Sequence, residues 1–364
     1  KMRVIGIDPG SKSFDFYGLD NDEIILDTTI PTKDLMREPE KFITIINAIR
    51  EEKEIDLMVA PSGFGLPLKK VSELDEEDIF YTLLKFEDRD TKKLLGLGSI
   101  LRLIKEENIP AIIVPGVKHM ETIPRHRKIN KIDMGTADKL CTSVVGIRDQ
   151  MERFQIPPSK TNFIMVEIGY GFTAVLAIEN GKIIDGIGGS NIMGFRACGS
   201  LDGELAYLIH TINKNNIYRG GVAYISGYSD LSLKEITLLA KKDDKTNIAL
   251  QAYVSSVQKA VYGITSSFSN KENIREILLA GRGAEILDLR KRVIISLKDI
   301  ASVRLMQNYS HIAKRAAQGA AYIADGLLGG RFKSIIKNME IEKASGSILD
   351  DIYIPFNKNK IPRD

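Results

Sequence analysis

The sequence predicts an α/β protein whose two domains follow the same plan. A chain of 364 residues is longer than one hydrophobic core ordinarily supports, which favours two domains. Each half opens with a short strand, a glycine-containing turn and further strands, and then continues into helical patterns. Pro157-Pro158-Ser159 lies between the halves and marks the boundary. The predicted domains are residues 1–156 and 157–310, and a returning helix with a C-terminal tail follows at residues 311–364.

Strands in the first half are predicted where apolar residues run together, or alternate with polar ones, between turn residues. Helices are predicted where apolar side chains recur at helical spacing, as at Phe42, Ile46 and Ile49. The predicted strands are residues 2–7, 13–19, 23–29, 56–60 and 111–114. The predicted helices are residues 39–53 and 94–107.

The second half begins with another meander near Asn162. Asn180-Gly181 is a strong hairpin signal, because the favoured two-residue turn needs positive φ at both central residues. The predicted strands are residues 163–168, 172–178, 182–185 and 277–279. The predicted helices are residues 201–210, 247–268 and 312–328.

The composition excludes several classes of function. Hydrophobic residues are 43% of the chain and charged residues 27%, with no run near the roughly 20 apolar residues that span a bilayer. The net charge of +3 is too small to indicate a nucleic-acid partner. Two cysteines are too few for a disulfide scaffold or a four-thiolate metal site, and the four histidines are dispersed. We expect a cytoplasmic protein that binds neither nucleic acid nor a membrane, and a homodimer is left open.

The turn after the first strand, Asp8-Pro9-Gly10-Ser11-Lys12-Ser13, is the first candidate for phosphate binding. Gly10 lets backbone N–H groups approach phosphate oxygens, and the hydroxyl groups of Ser11 and Ser13 can add donors. The carboxylate of Asp8 can hold Mg²⁺, usually through water. An ordinary Asp-Pro-Gly turn is the alternative for this segment taken alone.

Glu167-Ile168-Gly169-Tyr170-Gly171-Phe172-Thr173 repeats this arrangement of strand, carboxylate, glycines and hydroxyl. Since two such turns each open a meander, we expect them to face each other across a cleft and hold the β- and γ-phosphates of a nucleotide. Asp8 and Glu167 are the predicted metal ligands. The predicted phosphate contacts of the second turn are Gly169, Gly171 and Thr173. An ordinary hairpin turn is again the alternative.

A third turn, Leu279-Ala280-Gly281-Arg282-Gly283-Ala284, follows a strand of the second half. Gly281 and Gly283 lack side chains, and this absence would leave a slot for a purine and its ribose. Loop packing is the alternative explanation. Neither G-x-x-x-x-G-K-[ST] nor G-x-G-x-x-G occurs in the chain, so the common phosphate-binding loops are excluded.

These three turns, in this order, resemble the superfamily of actin-like ATPases, sugar kinases and heat-shock chaperones. Within it the chain looks most like the acetate and butyrate kinases over most of residues 2–330, and it resembles an archaeal family described as butyrate-kinase-like. Further similarity lies at residues 56–63, 109–114, 180–190 and 316–320. The resemblance implies two ribonuclease-H-like domains, with mixed sheets flanked by helices, and ATP and Mg²⁺ bound in a cleft between them.

Three positions depart from the pattern of the acetate and butyrate kinases. Those kinases usually have a histidine where this chain has Glu167, and an arginine near the strand end where it has Pro61-Ser62. Their catalytic helix has a histidine where Met134 falls. An arginine that pairs a carboxylate at two points is hard to replace by serine. The resemblance therefore implies ATP binding but leaves a carboxylate acceptor in doubt.

Residues 132–139 form the best remaining catalytic segment. Asp133 or Thr136 could cap a helix there, which is the structural alternative. Asp138 could orient an acceptor hydroxyl or a water, and Lys139 could neutralise charge on a transferring phosphoryl group. The predicted catalytic residues are Asp138, Lys139 and Glu167.

The basic cluster at residues 125–128 predicts a site for an anionic acceptor, with a solvated loop as the alternative. The predicted substrate contacts are Ser62, Arg125, Arg127 and Arg196. We therefore expect an ATP-dependent phosphotransferase that acts on a small, anionic molecule. The alternatives are an ATP-hydrolysing molecular switch and an activator ATPase of the same superfamily, and dependence of ATP turnover on a soluble acceptor would separate the kinase from both.

Overall fold

A computed structural model describes residues 2–85 and 96–356 of the chain. The chain divides into two compact units. Unit 1 comprises Lys1–Ile132, Thr136–Ser159 and Gln307–Asp364, and unit 2 comprises Asp133–Gly135 and Lys160–Met306. Within the described residues, no helix is both long and apolar enough to cross a membrane.

Each unit contains a mixed sheet. Unit 1 has the strands β1 (Arg3–Pro9), β2 (Ser13–Asp20), β3 (Glu23–Pro31), β4 (Leu57–Val59), β5 (Gly65–Lys70) and β6 (Ala111–Pro115), in the order β3-β2-β1-β4-β6-β5. Unit 2 has the strands β7 (Phe163–Ile168), β8 (Thr173–Glu179), β9 (Lys182–Ile187), β10 (Glu276–Ala280) and β11 (Ser302–Leu305), in the order β11-β10-β7-β8-β9. In both sheets the first three strands form an antiparallel meander, and parallel strands are added beside the first of them.

Helices accompany both sheets. In unit 1 they are α1 (Thr32–Arg37), α2 (Glu40–Glu52), α3 (Glu76–Leu83), α4 (Gly96–Glu106), α5 (Arg125–Lys128) and α6 (Ala137–Phe154). In unit 2 they are α7 (Gly203–Ile209), α8 (Lys214–Tyr218), α9 (Val222–Ser226), α10 (Leu233–Leu239), α11 (Asp244–Ile264) and α12 (Leu287–Leu297). The chain then returns to unit 1 with α13 (Arg315–Leu327) and α14 (Lys333–Met339).

Small residues bring α13 close to its neighbours in unit 1. A Cβ atom on Gly6 of β1 would lie 2.2 Å from the carbonyl oxygen of Ala317. A Cβ atom on Gly319 of α13 would lie 1.8 Å from the carbonyl oxygen of Cys141 in α6. Real Cβ atoms do not approach so closely, so glycine is required at both positions. This packing fixes the start of α13, and with it Lys314, relative to the end of β1.

The predicted fold class is confirmed, since two mixed sheets flanked by helices are present. Several boundaries were wrong. The helix predicted at residues 247–268 begins at Asp244, because the side chain of Asp243 caps it by accepting the N–H of Thr246 at 2.8 Å. Strand β5 was missed, because Pro67 interrupts its pattern and its pairing with β6 is irregular. The first two residues of the helix predicted at 94–107 lie outside the described residues.

Candidate functional site

Asp8 lies at the carboxyl end of β1, where the sheet of unit 1 gives way to the turn at Gly10. Its side chain is buried, with 4% of the residue exposed. The Nζ of Lys314 donates to Asp8 Oδ2 at 2.5 Å and to the carbonyl oxygen of Ser13 at 3.3 Å. The carboxylate predicted to organise a metal ion is therefore paired with an ammonium group of the same unit.

Lys314 is held from two directions. Its backbone N–H donates to Asp15 Oδ2 at 2.7 Å, and its Nζ lies 3.9 Å from the same oxygen. The other oxygen of Asp15 accepts the hydroxyl groups of Ser13 at 2.9 Å and Thr29 at 2.6 Å. Asp15 is fully buried on β2, so these contacts replace the water that the carboxylate loses. Together they fix the residue that precedes α13 against the first turn of the chain.

Gly10 has a structural role that the sequence did not reveal. A Cβ atom at this position would lie 2.3 Å from Lys314 Nζ and 2.7 Å from the carbonyl oxygen of Ser13. The space left by the missing side chain is therefore occupied in part by the lysine. The turn itself is closed by the hydroxyl of Thr32, which donates to the carbonyl oxygen of Gly10 at 2.6 Å.

Asp138 and Lys139 lie in the first turn of α6 and belong to the same charged cluster. The Nζ of Lys139 and the hydroxyl of Thr136 both donate to the carboxylate of Asp138. Thr136 occupies the N-cap position, but its hydroxyl is used by Asp138 and makes no capping bond. Asp138 also interacts electrostatically with Asp8 and Lys314. The charged groups of Asp8, Asp138, Lys139 and Lys314 therefore lie together.

Burial and charge set the protonation of this cluster. Burial, together with nearby Asp138 and Asp15, raises the pKa of Asp8 to about 6 against the opposing effect of Lys314. For Asp138, burial acts in the same direction, but Lys139, Thr136 and Lys314 outweigh it and lower the pKa. Burial disfavours the charged form of Lys314, yet Asp8 and Asp15 outweigh this effect and raise its pKa. At neutral pH, the lowered pKa of Asp138 and the raised pKa of Lys314 keep both of these groups charged.

Three predicted hydroxyl groups of unit 1 have different surroundings. Ser11 is exposed in the turn, whereas Ser13 is half-buried and bonded to Asp15. Ser62 follows β4 and is buried, and its Oγ has no hydrogen-bond partner among the described residues. The next residue, Gly63, accepts the N–H of Ala137 at 2.9 Å, so Ser62 lies beside the start of α6. An unpartnered buried hydroxyl next to Asp138 and Lys139 is a candidate for ligand contact.

In unit 2, Glu167 occupies the corresponding position near the end of β7. It is buried, and it pairs with Ala174 on β8 and Ala280 on β10 in the sheet register. The N–H of Gly169 donates to the carbonyl oxygen of Phe172 at 2.8 Å, which closes the turn as a hairpin. The carbonyl oxygen of Gly171 accepts the N–H groups of the residues at 196 and 197, both at 3.1 Å. Much of this turn's backbone is thus engaged within the unit.

The structure brings the predicted adenosine turn next to Glu167, but the two glycines serve packing. Gly281 has a φ of +84°, and a Cβ atom there would lie 2.3 Å from the carbonyl oxygen of Ile168. A Cβ atom on Gly283 would lie 2.3 Å from Cγ2 of Ile168. The side of each glycine on which a side chain would stand therefore faces Ile168 at the end of β7. Thr173 is fully buried, and its hydroxyl lies 2.8 Å from that of Tyr253, so it points into the core rather than toward a phosphate.

The predicted acceptor arginines belong to different units. Arg125 on α5 is 78% exposed in its side chain and forms an ion pair with Asp351 at 2.5 Å. Arg127 is half-buried on the same short helix. Arg196, in unit 2, donates to the hydroxyl of Tyr170 at 2.8 Å, with its guanidinium 5.0 Å from the centre of that ring. The basic cluster of α5 thus already has an anionic partner from the C-terminal segment of the chain.

Two residues of the cluster were missed by the sequence analysis, Asp15 and Lys314. Asp15 carried a readable signal, because it stands between Phe14 and Phe16 in the buried part of its strand. A charged residue in such a strand needs a partner in the folded protein. Lys314 carried no local signal, since it lies 306 residues from Asp8 in the sequence.

The architecture defines the class of the protein as a two-domain actin-like fold of the acetate-kinase type. The chain is similar to a propionate kinase from Francisella tularensis, with 14% identity, a TM-score of 0.63, and coverage of 88% of this chain and 98% of that one. It is equally similar to an acetate kinase from Porphyromonas gingivalis, with 14% identity, a TM-score of 0.63, and coverage of 90% and 100%. At this level of identity, the likeness establishes the fold.

The chain belongs to the family described as "Protein of unknown function (DUF1464)", whose model matches residues 6–354. A curated relative is a UPF0285 protein from Methanococcus maripaludis strain C7. It is 25% identical over 357 residues, which cover 91% of this chain and 97% of the relative. The predicted actin-like fold, its likeness to the acetate kinases in structure and the archaeal relatives are thereby confirmed.

Proposed function

We propose that the protein transfers the terminal phosphoryl group of ATP to a small acceptor molecule. The observation that carries this proposal is the charged cluster of Asp8, Asp15, Asp138, Lys139 and Lys314 in unit 1. Phosphoryl transfer asks a protein chiefly to position the reactants and stabilise charge on the transferring group. A cluster with one buried and one partly exposed ammonium group beside carboxylates at a strand end supplies both.

The proposed contacts with the nucleotide come from turns in both units. Ser11 would offer the phosphates its backbone N–H and an exposed hydroxyl. The N–H of Gly10 donates to the carbonyl oxygen of Asp8 at 3.1 Å, so Gly10 would contribute only by letting the phosphates approach the turn. In unit 2 we retain Gly169, Gly171, Gly281 and Gly283 as nucleotide contacts, through backbone groups only. Thr173 is left out of this set because its hydroxyl is bonded to Tyr253 in the core. Ser13 acts indirectly, by orienting Asp15.

The residues fit a magnesium ion that arrives with the nucleotide. Among the described residues, no group of three or more His, Cys, Asp or Glu side chains forms a site for a resident metal. Mg²⁺ usually binds through one or two carboxylates together with substrate phosphates and water, and the carboxylate of Asp8 at the end of β1 suits such a cation. Asp8 would hold the ion, with Glu167 as the second proposed carboxylate. When bound, the ion would neutralise charge on the phosphates.

The acceptor side of the proposal lies at the start of α6. Asp138 is an anion at neutral pH because Lys139, Thr136 and Lys314 lower its pKa against the effect of burial. A carboxylate with a lowered pKa is a weak base but a good hydrogen-bond acceptor, so it would orient an acceptor hydroxyl rather than abstract its proton. Ser62 would donate to or accept from the same molecule. We propose Lys139 as the group that stabilises negative charge during transfer.

Purified protein incubated with ATP, Mg²⁺ and a panel of carboxylates, sugars and other hydroxyl compounds tests the proposal. ADP release should rise with one class of acceptor and should fall about 100-fold or more in Asp138→Asn. Asp22→Asn, at an exposed position of unit 1, is the matched control. ADP release that no acceptor stimulates would contradict the phosphotransferase and would favour an ATP-hydrolysing switch. No ATP turnover under any condition would contradict both.

A further inference from the structure

The ammonium group of Lys314 has more donors than acceptors around it. A lysine ammonium carries three N–H donors. Among the described residues, Asp8 Oδ2 at 2.5 Å and the carbonyl oxygen of Ser13 at 3.3 Å accept two of them. Asp15 Oδ2, at 3.9 Å, is beyond hydrogen-bond distance. One donor of a largely buried cation is therefore left for something outside the described protein atoms.

The position of this ammonium matches the turn at which a phosphate is expected. It lies within 2.3 Å of the point where a side chain on Gly10 would begin. The side chain of Lys314 is 20% exposed, so a solute can reach it. The backbone N–H of Lys314 is bonded to Asp15, and its Nζ to Asp8, so both ends of the side chain are held before any ligand arrives. A cation held in this way costs little ordering when it binds an anion.

We propose that Lys314 contacts the terminal phosphate groups of the nucleotide and makes this site select ATP and ADP over AMP. The inference rests on the proposed function and adds the residue that distinguishes nucleotides with terminal phosphate groups from AMP. Asp8 is a positioning residue here, since it orients the ammonium. Gly10 is required because any side chain would displace that ammonium from the turn. A charge-assisted hydrogen bond to a phosphate oxygen is among the stronger contacts a protein can make.

Titration calorimetry with ATP, ADP and AMP, at one fixed Mg²⁺ concentration, tests the inference on the full chain. Lys314→Met should weaken the binding of ATP and ADP by about 10- to 100-fold. The affinity for AMP should change by less than about 2-fold, because AMP lacks the terminal groups. Lys41→Met is the matched control, since Lys41 is a half-exposed lysine of unit 1 paired with Glu38. Its affinities should equal those of the wild type.

Removing Lys314 leaves Asp8 and Asp15 without their cation, so the folding of the variant is checked by thermal unfolding. If Lys314→Met does not fold, Lys314→Gln, which keeps a hydrogen-bond donor for Asp8, provides the same comparison. An equal loss for all three nucleotides, or no loss, would overturn the inference and make Lys314 a structural residue. Wild-type protein that binds none of the nucleotides would instead contradict the proposed function.

Discussion

Asp8 and Glu167 stand near matching strand ends of the two units, and the difference between their surroundings shows where charge is concentrated. Asp8 meets Lys314, Asp15 and Asp138 in a cluster of charged groups. The turn after Glu167 is held by backbone hydrogen bonds and by aromatic contacts, with the ring of Tyr170 5.9 Å from that of Phe195. The same pattern of carboxylate, glycine and hydroxyl thus leads to an electrostatic site in one unit and to a packed turn in the other.

The largest expected effect comes from replacing the carboxylates of Asp8 and Glu167. We expect Asp8→Asn to lower ATP turnover by about 100-fold or more, because Lys314 loses the anion that positions it. Glu167→Gln should lower turnover by less. Steady-state ADP release by both variants, at matched Mg²⁺ concentrations, measures the difference.

Circular dichroism and thermal unfolding of both variants provide the control for this experiment. Both substitutions keep the shape of the side chain, so both proteins should remain folded. A loss of turnover in Glu167→Gln that equals or exceeds the loss in Asp8→Asn would show that the two strand ends contribute alike. The two units would then differ in the surroundings of the carboxylate but not in its contribution to ATP turnover.

Glycine substitutions test the same difference between the two units by their effect on the free energy of unfolding. Gly281→Ala should lower the free energy of unfolding by about 3 kcal/mol, because it adds backbone strain at φ +84° and a Cβ atom 2.3 Å from the carbonyl of Ile168. Gly10→Ala should lower it by less, since its closest contact is the flexible end of Lys314. Hydrogen exchange should locate the loss in Gly281→Ala at β7 and β10. Equal destabilisation by the two substitutions would contradict the distinction between a glycine packed against backbone and one packed against a flexible side chain.

Local patterns explain the parts of the fold that the sequence predicted. Strand β7 was placed at its observed bounds, and Asn180-Gly181 takes the positive φ values of 53° and 67° that its hairpin needs. Such elements depend on alternation and turn chemistry within a few residues. Strand β5 depends instead on pairing with β6, about 45 residues away in the sequence, and its own residues show no alternation. Tertiary pairing decided its structure.

The sequence predicted only part of the candidate site, because only some of its residues carry a local signal. Asp8, Asp138 and Lys139 could be found because each follows a recognisable strand end or helix start. The role of a glycine could not be read, because the lack of a side chain serves a ligand and a neighbouring backbone equally well. At Gly281 the neighbour is Ile168, and at Gly10 it is Lys314. Only the folded chain separates the two uses.

A buried histidine in unit 1 should make the stability of the protein depend on pH. His119 in unit 1 is 1% exposed, and burial together with the nearby Lys128 and Lys118 lowers its pKa to about 4. As the pH falls below about 6.5, the unfolded chain takes up a proton that the folded chain does not, so stability is lost. We expect this residue to remove about 2 kcal/mol of unfolding free energy between pH 7 and pH 5. Denaturant unfolding at both pH values measures it.

The matched variants for this measurement are His119→Asn and His210→Asn. His210 is exposed in unit 2, so its replacement should leave the pH dependence of unfolding as in the wild type. His119→Asn should flatten that dependence, whatever its effect on stability at pH 7. An unchanged slope in His119→Asn would show that the imidazole has about the same pKa in the folded and unfolded chain, against the lowered pKa expected from burial.

The smallest effect is expected at Arg125, and it bears on where the acceptor binds. The side chain of Arg125 is 78% exposed, whereas that of Asp351 is 8% exposed, so Arg125→Ala should lower the free energy of unfolding only slightly. Because Asp351 already supplies an anion to this side chain, the KM for the acceptor should change by less than about 2-fold. Arg196→Ala, which removes the contact with Tyr170, is the comparison in unit 2. A tenfold rise in the acceptor KM of Arg125→Ala, with ATP affinity unchanged, would mean that the acceptor displaces Asp351. The basic cluster of α5 would then be an acceptor site that the C-terminal segment covers in the absence of substrate.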